Sequence, residues 1–391
     1  MRSLFLLLLI CFSYTNAKAD KYYVFFNNKD GVEFDPYSYF NKKAVERRQK
    51  CGIPLVQYSD LPVNPKYLKG ITELCDSLTV VSRWLNMACV FASQEQKKQI
   101  ESLWFVKSVV AAQNREKRMA SFEGAQDSDF EDLLEYQTER MEESLFAKKD
   151  IKGQGICVAV LDAGFTDTDS HDALSHLTVT SAYDFVGKDD NPYHGSTHGT
   201  SVLSVIGGLF DGKPMGLATK ATYLLARTER HSHEFASEEE NWLAAAEWAD
   251  KNGADVINSS LGYTNHRYFI SEMDGNSLVA QAATMAFRKG ILVVCSAGND
   301  GDASWKYVGT PADADSVLAI GGIDPYTDLK IDFSSYGPNA NGVLKPNLCA
   351  SGTTFSCSSK QSFEDVDGTS FSSPLVAGFA ACLIQLNPTL S

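Results

Sequence analysis

The chain has 391 residues, 44% of them hydrophobic and 21% charged, with 28 glycines and 12 prolines. That composition excludes a disordered or fibrous chain and leaves room for two or three folding units. A formal net charge of −14 argues against a nucleic-acid partner, which needs a basic face, and no stretch approaches the roughly 20 consecutive apolar residues of a membrane span.

Residues 1–19 read as an export signal. Arg2 supplies the positive start, Leu4 to Phe12 the short apolar run, and Ala17-Lys18-Ala19 the small-x-small cleavage pattern. The expected location is therefore secreted or periplasmic. Cys11 leaves with the signal. Three cysteines then precede residue 112 and five follow it. Both numbers are odd, so full pairing needs a bond between the two halves. Cys349 with Cys357 is the local pair to consider. Cys157 and Cys295 sit in apolar runs, where a free thiol behaves as a small buried hydrophobe.

Residues 20–112 form a first unit. Strands are expected at 21–26, 77–82, 86–92 and 104–110, and helices at 38–50 and 64–75. Ser93 with Gln96 makes a capping box that opens helix 93–102. Helix 38–50 aside, the order is β-α-β-β-α-β, the split-βαβ arrangement of ferredoxin-like α+β domains. Residues 113–150 form an acidic connector, with nine acidic residues and one basic residue between Ser121 and Glu143. Phe130, Leu133, Leu134, Met141 and Leu145 fall at helical spacing, which predicts an amphipathic helix docked on its neighbour.

From residue 151 strands and helices alternate. Strands are expected at 156–161, 223–226, 256–260 and 291–296, and helices at 198–207, 237–251 and 276–289. This pattern implies an α/β fold with a parallel, doubly wound sheet covered on both faces. Helix 237–251 carries Trp242, Ala245, Ala246 and Ala249 on one face and stops at Gly253.

In such a sheet reactive groups gather at the carboxyl ends of strands. Asp162 ends the first strand, His198 starts a helix, and Ser370 stands at the mouth of another, with Pro374 in a first turn that tolerates it. A serine needs a base to act as nucleophile at neutral pH, and the histidine needs a carboxylate to hold its tautomer. The chain order Asp, His, Ser is that of subtilisin, not chymotrypsin. The GxSxG elbow of lipases and esterases is missing, because position 372 is Ser.

ValAlaValLeuAspAlaGlyPhe, HisGlyThrSerVal, AsnSerSerLeuGly, SerAlaGlyAsnAspGly and GlyThrSerPheSerSerProLeuValAla follow one another between Gly153 and Ser391. On these five blocks the chain resembles the subtilisin-like serine peptidases. The resemblance implies that Asp162 orients the imidazole, His198 is general base and acid, and Ser370 is the nucleophile. It implies that Asn299 supplies a side-chain donor to the oxyanion. It implies that Ser259, Ser260, Leu261 and Gly262 form a substrate-binding edge, to which an extended peptide adds as a strand.

The first unit resembles the family's propeptide, with 82–91 the most suggestive stretch. That implies an exported zymogen, cut within 113–150, whose own propeptide is an intramolecular inhibitor. Peptide or protein substrates are expected, and no cofactor is required. Calcium, bound by many members, has no clear motif: residues 167–172 lack the glycine and distal glutamate of an EF-hand loop and read as surface. HisSerHisGlu at 231–234 lacks a third ligand, so no metal site is expected.

Two departures stand out. Ala163 replaces the hydroxyl residue that usually follows the aspartate, and the chain stops at residue 391, where the family fold normally continues. They motivate an alternative: a peptide-binding pseudopeptidase, or an inactive truncated fragment.

Overall fold

The computed structural model describes residues 19–112, 130–230, 236–265 and 267–388. The export segment, residues 113–129 of the connector and the histidines at 231–234 lie outside the described residues.

The first unit comprises β1 (Asp20–Phe26), α1 (Pro36–Tyr39), α2 (Lys42–Lys50), α3 (Pro65–Thr72), β2 (Ser77–Ser82), β3 (Met87–Ala92), α4 (Gln94–Glu101) and β4 (Val106–Ala111). Its antiparallel sheet has the order β2-β3-β1-β4. The expected helix 38–50 is two helices, because Asn41 adopts an extended conformation and caps α2 through the amide of Ala44. Strand alternation gives the sheet two apolar faces. Tyr22, Val24 and Phe26 face α3 and α4 with Tyr67, Ile71 and Ile100. Tyr23 and Phe25 face the other way, toward the second unit.

The connector contains α5 (Phe130–Glu139) and α6 (Glu143–Lys148). Leu133 and Leu134 are buried as expected, but Leu145 is exposed and Phe146 is buried in its place. The helical period restarts at Glu142, which takes a left-handed conformation at φ 59°.

The second unit carries β5 (Cys157–Asp162), β6 (Thr178–Asp184), α7 (His198–Gly207), a two-residue ribbon β7 (Leu209–Phe210) and β8 (Lys213–Pro214), β9 (Thr222–Arg227) and α8 (Ala236–Lys251). It continues with β10 (Val256–Ser259), α9 (Leu278–Arg288), β11 (Leu292–Ser296), β12 (Leu318–Ile323), β13 (Leu348–Ser351), the hairpin β14 (Thr353–Cys357) and β15 (Phe363–Asp367), and α10 (Thr369–Leu386). The main sheet is parallel, with order β13-β12-β11-β10-β5-β9-β6. Every residue of β5 is buried: Val158 and Val160 pack with α7 and α10, while Cys157, Ala159 and Leu161 pack with α8 and α9. The fold is thus the expected doubly wound α/β sheet preceded by a small α+β unit. Helix α10 is long and apolar enough to cross a membrane, yet two-thirds of it is buried as a core helix.

Cys157 and Cys295 are free and buried as expected, but the expected pairings do not form. All eight described cysteines are free. Cys349 lies exposed on β13 beside Gly321, whereas Cys357 is buried and directs its thiol at the Thr200 carbonyl, so the two never meet. No disulfide joins the two units among the described residues. Their boundary is apolar instead: Trp84, Met87 and Cys89 share a cluster with Trp242, Ala245, Ala246 and Ala249 of α8. Truncating a buried Trp typically costs about 3–5 kcal/mol. Trp84→Ala, made in a Ser370→Ala background to prevent proteolysis, is expected to lower the urea midpoint accordingly.

Candidate active site

Strand order reverses around β5 and its neighbour β10, and that crevice collects the candidate residues. Asp162 closes β5 and is fully buried. His198 opens α7, with its amide held by the Ser196 hydroxyl. Its Nδ1 lies 2.8 Å from Asp162 Oδ1, and the ring keeps 30% of its side chain exposed. Gly199 lets the two elements meet, since a Cβ there would collide with the Gly164 carbonyl oxygen.

Burial disfavours the charged imidazole, but the Asp162 charge and hydrogen bond outweigh it and raise the His198 pKa above its ordinary value. The same carboxylate oxygen accepts the Ala163 amide at 2.7 Å. Asp162 Oδ2 is buried without a hydrogen-bond partner among the described residues. Beside it stands Ala163, which offers no hydroxyl.

Ser370 is the second residue of α10. Its Oγ donates to the Ser260 carbonyl at 3.1 Å, and Phe371 stacks obliquely on His198 with ring centroids 5.6 Å apart. No hydrogen bond joins Ser370 to His198 among the described residues; such contacts are often loose before substrate binds. Pro374 lies inside α10, beyond its first turn. It has no N–H to give to the carbonyl four residues back, that of Ser370. The Ser260 hydroxyl takes that carbonyl instead, at 2.7 Å. Asn258 completes the brace, with its amide nitrogen on the Ser260 hydroxyl and its oxygen receiving Ser373 Oγ.

Asn299 follows β11. Its side-chain oxygen accepts both the amide and the hydroxyl of Thr369, each at 2.9 Å. The amide nitrogen is thereby turned away from Thr369, which is fully buried. Thr369 also accepts the Gly298 amide. The expected substrate edge divides. Gly262 is exposed, and a Cβ there would meet only the Thr310 carbonyl at 3.8 Å. Leu261 and Ser260 are buried, and Ser259 is wholly buried, its hydroxyl accepting Trp242 Nε1. Ser259 supports the edge from behind.

A further layer was not legible in the motifs. Arg227, ending β9, donates to the Ala163 carbonyl at 3.2 Å and pairs with buried Asp184 at 2.7 Å. Thr228 donates to the Asp162 carbonyl. Asp184 with Asp189 and His194 forms the one group spaced for a cation among the described residues. Arg227 already neutralises Asp184, so that group does not fit calcium. In the 167–172 loop Asp167 accepts the Lys360 amide and His171 is buried.

The family model described as "Subtilase family" matches residues 153–391. The chain belongs to the Subtilase family. Its members are subtilisin-like serine endopeptidases. A second model, "Peptidase S8 propeptide domain, Bacteroidota", matches residues 21–126. The chain is 31% identical over 244 residues to Subtilisin DY of Bacillus licheniformis, covering 61% of this chain and 80% of that protein. It is also 31% identical over 237 residues to Thermitase of Thermoactinomyces vulgaris, covering 59% and 76%. Against Subtilisin E of Bacillus subtilis (strain 168) the identity is again 31%, but the match spans only 57% of that protein. Among solved structures, "Prenylagaramide maturation protease PagA" superposes with a TM-score of 0.51 at 26% identity, over 63% of this chain and 80% of that one.

Thr369 is the hidden part of this subtilase site. In a peptide-hydrolysis assay Thr369→Val is expected to lower kcat by roughly tenfold to a hundredfold with little change in KM. Losing an oxyanion donor, the role expected of Asn299, typically costs about 10²–10³, and this change only releases Asn299 from its tether. A matching rise in KM would count against the positioning role.

Proposed function

We propose that this subtilase is an exported serine endopeptidase, made as a zymogen, that cuts peptide bonds through an acyl-enzyme. The observation that carries this reading is the buried Asp162 carboxylate 2.8 Å from His198 Nδ1, beside the helix start that bears Ser370. With Nδ1 bound to the carboxylate, Nε2 is the nitrogen left for the serine. Substrate binding would turn Ser370 Oγ from the Ser260 carbonyl toward that nitrogen.

Oγ then attacks the peptide carbonyl, and its proton passes to His198. The carbonyl oxygen becomes an oxyanion, held by the Asn299 amide and a backbone N–H. The C–N bond breaks as His198 returns the proton to the leaving amine. Water, deprotonated by the same histidine, hydrolyses the ester and restores Ser370. Asp162 steadies the imidazolium in both steps. An extended substrate would pair along the edge at Leu261 and Gly262. None of these steps asks for a metal or cofactor.

The Bacteroidota-type propeptide match and the signal-like first nineteen residues support export as an inactive precursor. In this reading residues 20–112 inhibit the enzyme until the connector is cut. Ser370→Ala is expected to abolish labelling by an organophosphonate. It is also expected to leave the chain whole while the wild type loses an N-terminal piece, as read by intact mass over time. Labelling that survives the substitution would refute Ser370 as nucleophile.

The pH response follows from the His198 shift. The base must be neutral, so kcat/KM is expected to fall as pH drops through a value above the ordinary histidine pKa of about 6.5. The same pair favours folding while His198 is protonated, a contribution lost as pH rises through its folded pKa. Asp162→Asn removes the charge that raises the pKa. Such a change is expected to cost about 10⁴ in kcat and to move the acid limb of any residual activity downward.

A further inference from the structure

The first unit carries an element that its split-βαβ plan does not need. Between β1 and α3 the chain makes an excursion through α1, α2 and the segment to Asp60. On its own unit it meets Arg83 of the β2–β3 turn, which lies over Tyr39 and donates to the Asp60 carbonyl, and Lys29, which donates to the Tyr58 and Ser59 carbonyls. The excursion lies on the C-terminal ends of α8 and α9, which the connectivity puts at the amino ends of β10 and β11. The candidate active site is at the opposite, carboxyl ends of the same sheet.

The contact is ionic, reciprocal and buried. Arg47 of α2 donates to the Lys289 carbonyl at 3.1 Å, to the Ala254 carbonyl, and to Asp250. One guanidinium thus satisfies carbonyls at the ends of two helices, where the helix dipoles favour a cation. Arg48 makes a fork on Asp60 at 2.9 and 3.1 Å and reaches Asp250 at 2.7 Å. In the other direction Lys289, the C-cap of α9, sends its ammonium into the excursion. It donates to Gln57, Ser59 and Asp60 at 2.6, 2.6 and 2.7 Å. Arg47, Arg48, Asp60, Asp250 and Lys289 are each less than 5% exposed. The backbones fit closely as well, since a Cβ at Gly253 would strike Asn41, and one at Gly290 would meet Ile53 and Cys51.

Buried ion pairs are poor sources of stability compared with apolar packing. Their value is specificity, together with the high cost of removing one partner. All three acceptors around the Lys289 ammonium come from the propeptide side, so this peptidase lysine is built for that one occupant. We propose that residues 36–60 are a latch. It holds the cleaved propeptide on the peptidase at a site remote from the reactive serine, so that release of the inhibitor is set at the α8–α9 ends as well as in the cleft. The inference rests on the zymogen reading above and names its regulation. Two linked attachment points keep a severed inhibitor bound far longer than either does alone.

The test uses the full chain allowed to process itself. The wild type is expected to show a lag between connector cleavage and peptide hydrolysis, with the cleaved propeptide co-eluting with the peptidase. Arg47→Ala is expected to shorten the lag by roughly a hundredfold, the scale of an orphaned buried charge partner, and to abolish co-elution. Arg47 leaves with the propeptide, so the mature enzyme from this variant is chemically wild type and must show the same kcat and KM. Lys289→Gln should act in the same direction from the peptidase side. Wild-type lag and co-elution in both variants would overturn the latch. Should either variant fail to fold, hydrogen exchange on the cleaved wild-type complex decides. Protection of amides 41–60 equal to that of β1 and β3 supports the latch, and free exchange there while β1 and β3 stay protected overturns it. A wild type that never cleaves itself would sink the zymogen reading and the regulation with it, whereas cleavage without a latch effect sinks only the inference.

Discussion

The parallel pairing of β5 with β10 is the constraint on which the site depends. It sets Val158 opposite Val256 and Leu161 opposite Ser259, so the two strands end side by side. Asp162 and Ser260 therefore emerge at one rim, although nearly a hundred residues separate them. The rim is also where strand order reverses, which leaves a crevice no crossover helix covers. α7 and α10 start above it, and their first turns bring in His198 and Ser370. Each candidate residue thus stands at the end of a buried rigid element, where a hydrogen-bond distance can be held.

The helix of Ser370 shows how a local defect becomes a support. Pro374 costs α10 one internal hydrogen bond, and the freed carbonyl belongs to Ser370 itself. The hydroxyl of Ser260 fills that place, so a residue of the expected substrate edge also clamps the backbone of the proposed nucleophile. One residue earlier Thr369 holds Asn299 by its oxygen and leaves the amide nitrogen unclaimed by that contact. Asp162 has less support: both contacts fall on Oδ1, while Oδ2 lies buried beside a residue without a hydroxyl. Arg227 compensates at one remove by fixing the Ala163 carbonyl and so the backbone that carries the carboxylate.

Much of this was legible in the sequence, because it rests on local signals. Apolar runs marked the buried strands, Gly253 marked the end of α8, and Ser93 with Gln96 marked the start of α4. The motifs around Asp162, His198, Asn299 and Ser370 were readable for the same reason, since each motif sits within one strand-loop-helix unit. The break of helix 38–50 at Asn41 was missed, because capping competes with a helical pattern that runs through it. Ser259 was placed in the substrate edge, although strand alternation turns it inward to Trp242. Long-range partners left no trace. Arg227 with Asp184, Gln137 with Phe355, and Arg47 with Asp250 join residues 43, 218 and 203 positions apart.

Helix α8 shows why the boundary between the units was the least readable part. Its alanines promised a close apolar contact, and Trp242, Ala245, Ala246 and Ala249 do bury against the sheet strands and the propeptide cluster. Its acids Glu240, Glu247 and Asp250 are buried as well. Glu240 takes Lys21 at 2.8 Å; Glu247 takes the Ser82 hydroxyl at 2.5 Å and the Trp84 amide at 3.1 Å; Asp250 takes two arginines. Burial raises the pKa of Glu240 and of Glu247. The donors that the first unit brings act the other way: Lys21 and Thr79 lower it at Glu240, and Ser82 with the Trp84 and Arg83 amides lowers it at Glu247. The row of acids on α8 is thus matched to a partner that supplies its own donors, and among the described residues no disulfide joins the two units.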